Sequence, residues 1–326
     1  MIELTLSVFD YISWLRVDRM SGLKGRDLLS MTDLSADETL ALLQLATDLK
    51  QGKVKPICRK SLGLLFYKSS TRTRVSFFAA MSQLGGQVID LNIGSMQIGR
   101  GEPLADTARV LDRYLDVLAI RTFDHEDVET FAKYAQMPII NALTDLEHPC
   151  QVFADLQTIQ ECFGQLAGLK LAYLGDGNNM AHSLMLGCAI VGMDIAIACP
   201  ANFTPDPQIV DRARSIAAIK GTQVIVTQSP QEAVSQAQVV YTDVWASMGQ
   251  ESESDTRIPV FQPYQVNREL LTLASSDSIV LHCLPAHRGE EITDDVLEGT
   301  RSRVWDQAEN RMHAQKALLV SVLGCE

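Results

Sequence analysis

The chain alternates short apolar runs with stretches in which apolar residues recur three and four positions apart, so strands and amphipathic helices succeed one another almost throughout. A first helix is expected over 35–50, opening on Ser35 with Glu38 three residues on, a capping box. Strands follow at 62–66, 87–91, 117–120 and 138–141, with helices after Ser70, at 104–114 and at 126–135 between them. Pro149 sits in a favoured first-turn position and starts another helix. A second series then runs through strands at 170–174, 194–198, 223–227, 239–242 and 278–282, helices at 178–191 and 207–218, and a last helix at about 307–323. Two such series predict an α/β protein of two doubly wound parallel-sheet domains, 1–147 and 148–306, with the active site in the cleft between them.

A chain of 326 residues is long enough for two cores. Its net charge of −12 argues against a nucleic-acid or anionic-membrane partner. No run approaches 18 uninterrupted apolar residues, so no membrane span is expected. Seven scattered cysteines, odd in number and without a CxxC pair, predict reduced thiols in a cytoplasmic protein, not a disulfide framework or a zinc site. Residues 1–19 carry Glu3 and Asp10 but no basic residue before Arg16, which fits neither a secretory signal nor an Arg-rich transit peptide. This leader is either an extra terminal helix or a product of start-site choice before Met20, and turnover is expected to survive its removal.

Against so negative a chain, a local cluster of cations is informative. Lys68-Ser69-Ser70-Thr71-Arg72-Thr73-Arg74 lies between a strand and a helix, where free amides and the dipole favour an anion. The alternative is a well-capped helix with solvated arginines. No Gly-Lys-Ser/Thr follows a glycine-rich turn, so this is not a nucleoside-triphosphate P-loop. Gly175-Asp176-Gly177-Asn178-Asn179 also joins a strand to a helix, but Met180 occupies the third glycine position of a dinucleotide fingerprint and no ribose-binding acid follows. Its asparagines suit a carboxylate guest or simple capping. In His148-Pro149-Cys150-Gln151, the imidazole and the amide stand one turn apart, able to address two polar atoms of one small ligand or to serve an ordinary capped turn. Asp243 precedes a long loop and could hold an ammonium group, with the loop as a lid or simply as surface. Cys283 ends the strand carrying His282, before a Leu284-Pro285 turn that must be extended or cis, with His287 and Arg288 beyond; a buried structural cysteine is the plainer reading.

These motifs, in this order and together with Ala308-Glu309-Asn310-Arg311, resemble the aspartate/ornithine carbamoyltransferase family, its ornithine-using branch most closely, from about Leu23 to the end. The resemblance implies a catalytic homotrimer whose first domain binds carbamoyl phosphate and whose second binds L-ornithine, with the last helix crossing back to the first domain. It implies carbamoyl transfer to the δ-amine of ornithine, giving citrulline and phosphate on the way to arginine, without metal or organic cofactor. Carried over residue by residue, Ser70, Thr71, Arg72, Thr73 and Arg121 would bind carbamoyl phosphate. Gln97 would join them from a neighbouring subunit. His148 would polarise the carbamoyl oxygen and Gln151 would hold its nitrogen, while Cys283, Leu284 and Arg311 would line the same pocket. Arg72, His148 and Cys283 would carry the chemistry, with Cys283 or the phosphate accepting the amine proton. Asn179, Asp243, Ser247 and Met248 would hold ornithine. Tyr67, Phe78 and Cys150 depart from the family pattern, which touches packing and subunit contacts more than chemistry.

The aspartate-using branch places basic residues in the loop after the Asp, where this chain has Glu251, Glu253 and Asp255. Putrescine or an acylated ornithine would need only changes in the pocket. A nicotinamide-dependent dehydrogenase is opposed by Met180, and a non-catalytic homologue by the full set of polar motifs.

Overall fold

Strands buried on both faces appear in sequence as unbroken apolar runs, and the inner strands of the two sheets are of this kind, whereas the edge strand at 87–91 is largely exposed. The computed structural model describes residues 22–246 and 254–325. The leader 1–19, Ser247, Met248, Glu251 and Glu253 lie outside the described residues, as does the Asp255 side chain.

The first sheet contains β1 (Ser61–Phe66), β2 (Gln87–Leu91), β3 (Val117–Arg121) and β4 (Ile139–Leu143), all parallel in the order β2-β1-β3-β4. Around it lie α1 (Ala36–Lys50), α2 (Arg72–Gln83), α3 (Leu104–Leu111) and α4 (His125–Tyr134). α1 opens with the expected box: Glu38 N donates to Ser35 Oγ, and Ser35 N donates to the Glu38 carboxylate. α5 (Pro149–Phe163) then leads into the second sheet and is buried from Pro149 to Ile159.

That sheet runs β7-β6-β5-β8-β9, again all parallel, from β5 (Lys170–Leu174), β6 (Asp194–Ala198), β7 (Val224–Thr227), β8 (Val239–Thr242) and β9 (Ile279–His282). Its helices are α6 (Asn179–Val191), α7 (Pro207–Lys220), α8 (Pro230–Val234), α9 (Ser254–Phe261), α10 (Arg268–Leu271) and α11 (Asp294–Leu297). α12 (Val304–Leu323) closes the chain by packing on α5 and returning to α1 and α2. Leu42, Leu62, Val152, Leu186 and Leu318 belong to one continuous core, so α5 and α12 join the two sheets through shared apolar contact.

In each sheet the strand order reverses once, between β1 and β3 and between β5 and β8. Crevices at such reversals are where open α/β sheets take ligands.

Three expectations change. α3 ends at Leu111, short of residue 114, because Asp112 leaves the helix to accept from the amides of Gln136 (2.7 Å) and Met137 (2.8 Å). α12 begins at Val304, ahead of residue 307. The cysteines are not all reduced: Cys58 and Cys325 form a disulfide, Cα–Cα 5.2 Å, 267 residues apart. No local spacing reveals that pair, since only the return of α12 to the first domain brings Cys325 beside the approach to β1.

One glycine is required by close approach. A Cβ on Gly177 would stand 2.2 Å from Pro205 N and 2.4 Å from Thr204 C, both backbone atoms that cannot rotate away. Gly177→Ala is therefore expected to destabilise the protein by about 1–3 kcal/mol, read as a lowered urea midpoint at unchanged slope. An unchanged midpoint would show that the segment carrying Pro205 yields freely.

Candidate active site

The carboxyl ends of β1, β3, β5, β8 and β9 open on one cavity of about 530 Å³, the size of a small-molecule site. Strand register explains which side chains reach it. Phe66 is paired with Arg121, and Tyr67 N donates to Arg121 O (2.8 Å), so Arg121 stands beside the Lys68–Arg72 loop. Thr242 is paired with His282, which makes Asp243 and Cys283 the next neighbours along the sheet. Cys283 Sγ donates to Asp243 Oδ1 at 2.9 Å.

α2 begins at Arg72 with Thr71 at its N-cap, and the Thr71 hydroxyl makes no capping bond. The first amides of α2 thus keep their donors for something else. α6 is the contrast: Asn178 Oδ1 accepts from Met180 N (3.0 Å) and Ala181 N (3.4 Å). Of the cations in the opening loop, Arg72 and Lys68 line the cavity, with Lys68 paired to Asp145 and 4.1 Å over the Phe123 ring. Arg74, two positions along the helix from Arg72, faces away and pairs with Asp90.

Positive charge is concentrated and desolvated here. Burial, with the Arg311 and Arg72 charges beside it, pulls Arg121 down to about 10. Burial lowers Arg311 as well. The same three arginines add to burial in holding His148 well below the usual imidazole range, so it is neutral at pH 7. Among the described residues, His148 Nδ1 has no hydrogen-bond partner. Arg311 donates to Gln151 Oε1 and, at 3.1 Å, to Thr73 Oγ1. Burial, then the Asp243 charge, pushes the Cys283 thiol well above its ordinary value.

The residue before His148 ties the halves together. The buried Glu147 carboxylate accepts from Ser30 Oγ (2.6 Å), Met31 N (3.0 Å) and Ser183 Oγ (3.2 Å), and His148 N donates to the same Ser183 Oγ (2.8 Å). Asn179 Nδ2 also crosses the cleft, to Thr144 O at 2.6 Å. Beyond Cys283, Leu284 has φ 61° and a cis bond to Pro285. Leu284 N donates to His282 Nδ1 (2.8 Å), which fixes the ring as the Nε2–H tautomer facing Glu291 (3.0 Å). Donor atoms of Asp243, His282 and Cys283 lie within 4.8 Å of one another, but both His282 nitrogens are committed, so the set is poorly suited to a metal.

Ser70, Thr71, Arg72, Thr73, Arg121, His148, Gln151, Asn179, Asp243, Cys283, Leu284 and Arg311 all meet in this cavity. Gln97 does not: it is exposed, on a short turn (Gln97–Arg100) away from the cavity wall. Sequence reasoning did not name Asp145, and it placed Lys68, Asp176, Asn178 and His287 in their motifs without a role for each at the site. Asp176 pairs with Arg257 at 2.6 Å, and Asn178 reaches Asp243 Oδ2 at 3.5 Å. The Gly175–Asn179 motif contained the signal for the last pair, but choosing among its polar residues requires knowing which one caps α6.

The chain matches two family models: residues 26–161 the carbamoyl-P binding domain, and residues 167–322 the Asp/Orn binding domain, of the aspartate/ornithine carbamoyltransferases. It is 66% identical over 307 residues to the ornithine carbamoyltransferase of Nostoc punctiforme, covering 94% of this chain and 100% of that protein. Among solved structures it resembles ornithine carbamoyltransferase from Gloeobacter violaceus (57% identity, TM-score 0.84, 91% of this chain and 98% of that one). It also resembles the Pyrococcus furiosus enzyme (50% identity, TM-score 0.89, 93% and 98%). With both halves matched in order, and with a relative 66% identical over 94% of this chain, the chain belongs to the aspartate/ornithine carbamoyltransferase family.

Proposed function

We propose that carbamoyl phosphate lies against the first domain, L-ornithine against the second, and that the cavity between them is the site of transfer. The chain moves the carbamoyl group of carbamoyl phosphate to the δ-amine of L-ornithine, giving L-citrulline and phosphate, a step of arginine biosynthesis. One observation carries the assignment of roles: three arginines surround a neutral imidazole on one wall, and on the other stands Asp243, the cavity carboxylate not paired with a cation as Asp145 is with Lys68 and Asp176 with Arg257.

Ser70, Thr71, Thr73 and the first amides of α2 hold the phosphate, while Arg72, Arg121 and Arg311 stabilise the charge that grows on it as the C–O bond breaks. His148 donates a neutral N–H to the carbamoyl oxygen, and the Gln151 carbonyl accepts from the carbamoyl NH₂. Asp243 takes the α-ammonium of ornithine, with Asn179 beside the α-carboxylate; Ser247 and Met248 complete that grip. The δ-amine resembles a lysine amine, with pKa about 10.4, so it must shed one proton to solvent to attack as the neutral amine. The second proton, released as the C–N bond forms, is the one that needs an acceptor in the cleft. Cys283, held as a thiol, lines the carbamoyl pocket beside Leu284 and is a poor base, which favours a phosphate oxygen as the acceptor.

The boundary near 147/148 separates the two binding halves, α12 returning to the first. A homotrimer accounts for Gln97, which is exposed here and would enter a neighbour's cavity. Val75 and Phe78 on α2 and Ile89 on edge strand β2 leave apolar side chains exposed (59%, 49% and 43%), a surface suited to a second copy. No helix among the described residues is long and apolar enough to cross a membrane. A cytoplasmic location fits the five free cysteines, with the Cys58–Cys325 pair the feature that argues against it.

Three outcomes are expected. His148→Asn lowers kcat about 10²-fold, the loss of one oxyanion donor, yet leaves the acid limb of the kcat–pH profile in place, because His148 is already neutral there. A displaced limb would mean that His148 titrates during turnover. Asp243→Asn loses ornithine turnover by roughly 10²-fold, equivalent to about 2.7 kcal/mol, while carbamoyl phosphate binding changes little. Putrescine, which lacks both α groups, should be a very poor substrate and lose far less; equal losses would remove Asp243 from amino-acid recognition. Finally, unfolding and reassembling a mixture of inactive Gln97 and Arg72 variants restores part of the activity, since some sites draw one intact half from each. No recovery, where the wild type reassembles well, would make each site the work of one chain.

A further inference from the structure

One fully buried carboxylate plays no part in the mechanism above. Asp155 lies one turn after Gln151 on α5, on the same helical face, with no exposed surface. Its Oδ1 accepts from Gln151 Nε2 at 2.8 Å and from Gln307 Nε2 at 2.7 Å. Gln307 is itself fixed: its Nε2 also reaches Tyr241 OH at 3.1 Å, and its Oε1 accepts from His282 N at 2.9 Å. The other end of Gln151, Oε1, accepts from Arg311, whose second amine bonds Thr73.

A glutamine amide has a donor end and an acceptor end, and its job depends on which faces the ligand. In the observed orientation the NH₂ meets a carboxylate and the carbonyl meets a guanidinium. Turned over, the carbonyl would face carboxylate oxygen and the NH₂ would face guanidinium N–H, two repulsions in a medium that screens poorly. Arg311 alone selects the same orientation, but it is also committed to Thr73 and to the phosphate side of the cavity. The fixed reference on the inner side is Asp155.

We propose that Asp155, held by Gln307, is the positioning residue that keeps the Gln151 carbonyl turned toward the cavity, and so gives the site its selectivity for the amino group of the carbamoyl donor over a bare phosphate or an acyl phosphate without NH₂. This rests on the reading that Gln151 accepts from the carbamoyl nitrogen. Burial pushes the Asp155 carboxyl up to about 7, and its Oδ1 remains an acceptor in either protonation state. Oδ2, the natural seat of a proton, takes no hydrogen bond among the described residues.

The test compares two ligands that share a phosphate and differ in the NH₂: KM for carbamoyl phosphate and the competitive Ki for inorganic phosphate. Asp155→Ala should raise the ratio KM/Ki at least about tenfold, the scale of one charge-assisted hydrogen bond. The Ki itself should hold or fall, because Arg311 loses a countercharge. Asp155→Asn keeps an acceptor oxygen for both glutamines and should fall between wild type and Asp155→Ala; where the alanine protein does not fold, a rise of about threefold or more in Asp155→Asn carries the test. A ratio within twofold of wild type in the folded variants, or a Ki that rises in step with KM, overturns the proposal and leaves Asp155 a packing residue. Gln151→Ala separates the two levels. If it shifts the ratio and the Asp155 variants do not, the positioning role is wrong; if Gln151→Ala leaves the ratio alone, the reading of Gln151 beneath it is wrong.

Discussion

Like charges taken out of water repel one another through a medium that screens them poorly, on the order of a few kcal/mol for a pair a few ångströms apart. Arg121 and Arg311 are buried with Arg72 half-buried beside them, and burial, with the charges of the other two added, lowers Arg121 to about 10. A chain of net charge −12 has ample acid to neutralise them, yet it places its nearest cavity carboxylates elsewhere: Asp145 on Lys68, Asp176 on Arg257, Asp155 behind Gln151. In the proposed arrangement the arginines are kept for an anion that arrives with the substrate. Burial and that field together hold His148 neutral.

Three guanidiniums from three distant stretches can converge only if the scaffold is rigid at each point of delivery. Arg72 comes from the start of α2, Arg121 from the end of β3, and Arg311 from α12, which has crossed back from the second domain. The shared core along α5 and α12 sets the distance between the walls, and Glu147 adds a polar tie at the point where the chain passes from one to the other. The amino-acid wall is simpler: adjacent strands put Asp243 and Cys283 side by side at the reversal of the second sheet.

Much of this was legible in the sequence, for physical reasons that differ from place to place. Strands buried on both faces announce themselves by apolar runs, and Ser35 with Glu38 announces a helix start, because both depend on neighbours in sequence. The polar clusters at strand ends could be expected to share one cavity because such ends are where parallel sheets bind ligands. What escaped depends on contacts across the chain. Asp112 ends α3 only because residues 136 and 137 come to it. Cys325 meets Cys58 only because α12 turns back. Asp155 and Gln307, 152 residues apart, are unremarkable on their own helices until the Gln307 amide donates to the Asp155 carboxylate. Asn178 and Asn179 are chemically identical, and capping by the first is what leaves the second free to bridge the cleft.

The same field decides where the proton of the attacking amine can go. A base in the cleft must be worth protonating while it stands near three cations. His148 is neutral but already suppressed by those cations, so taking up a proton there would add a fourth positive charge to the cluster. Cys283 has the opposite difficulty: beside Asp243 and buried, it holds its proton and offers no thiolate. Asp243 itself is the carboxylate proposed for the α-ammonium. The departing phosphate is the one group whose basicity grows during the step, and in the proposed arrangement it does so among arginines, next to the newly bonded nitrogen. Transfer of the proton to a phosphate oxygen leaves no charge stranded on the protein, and it asks of the side chains only what burial and repulsion have already made them: fixed donors that do not titrate.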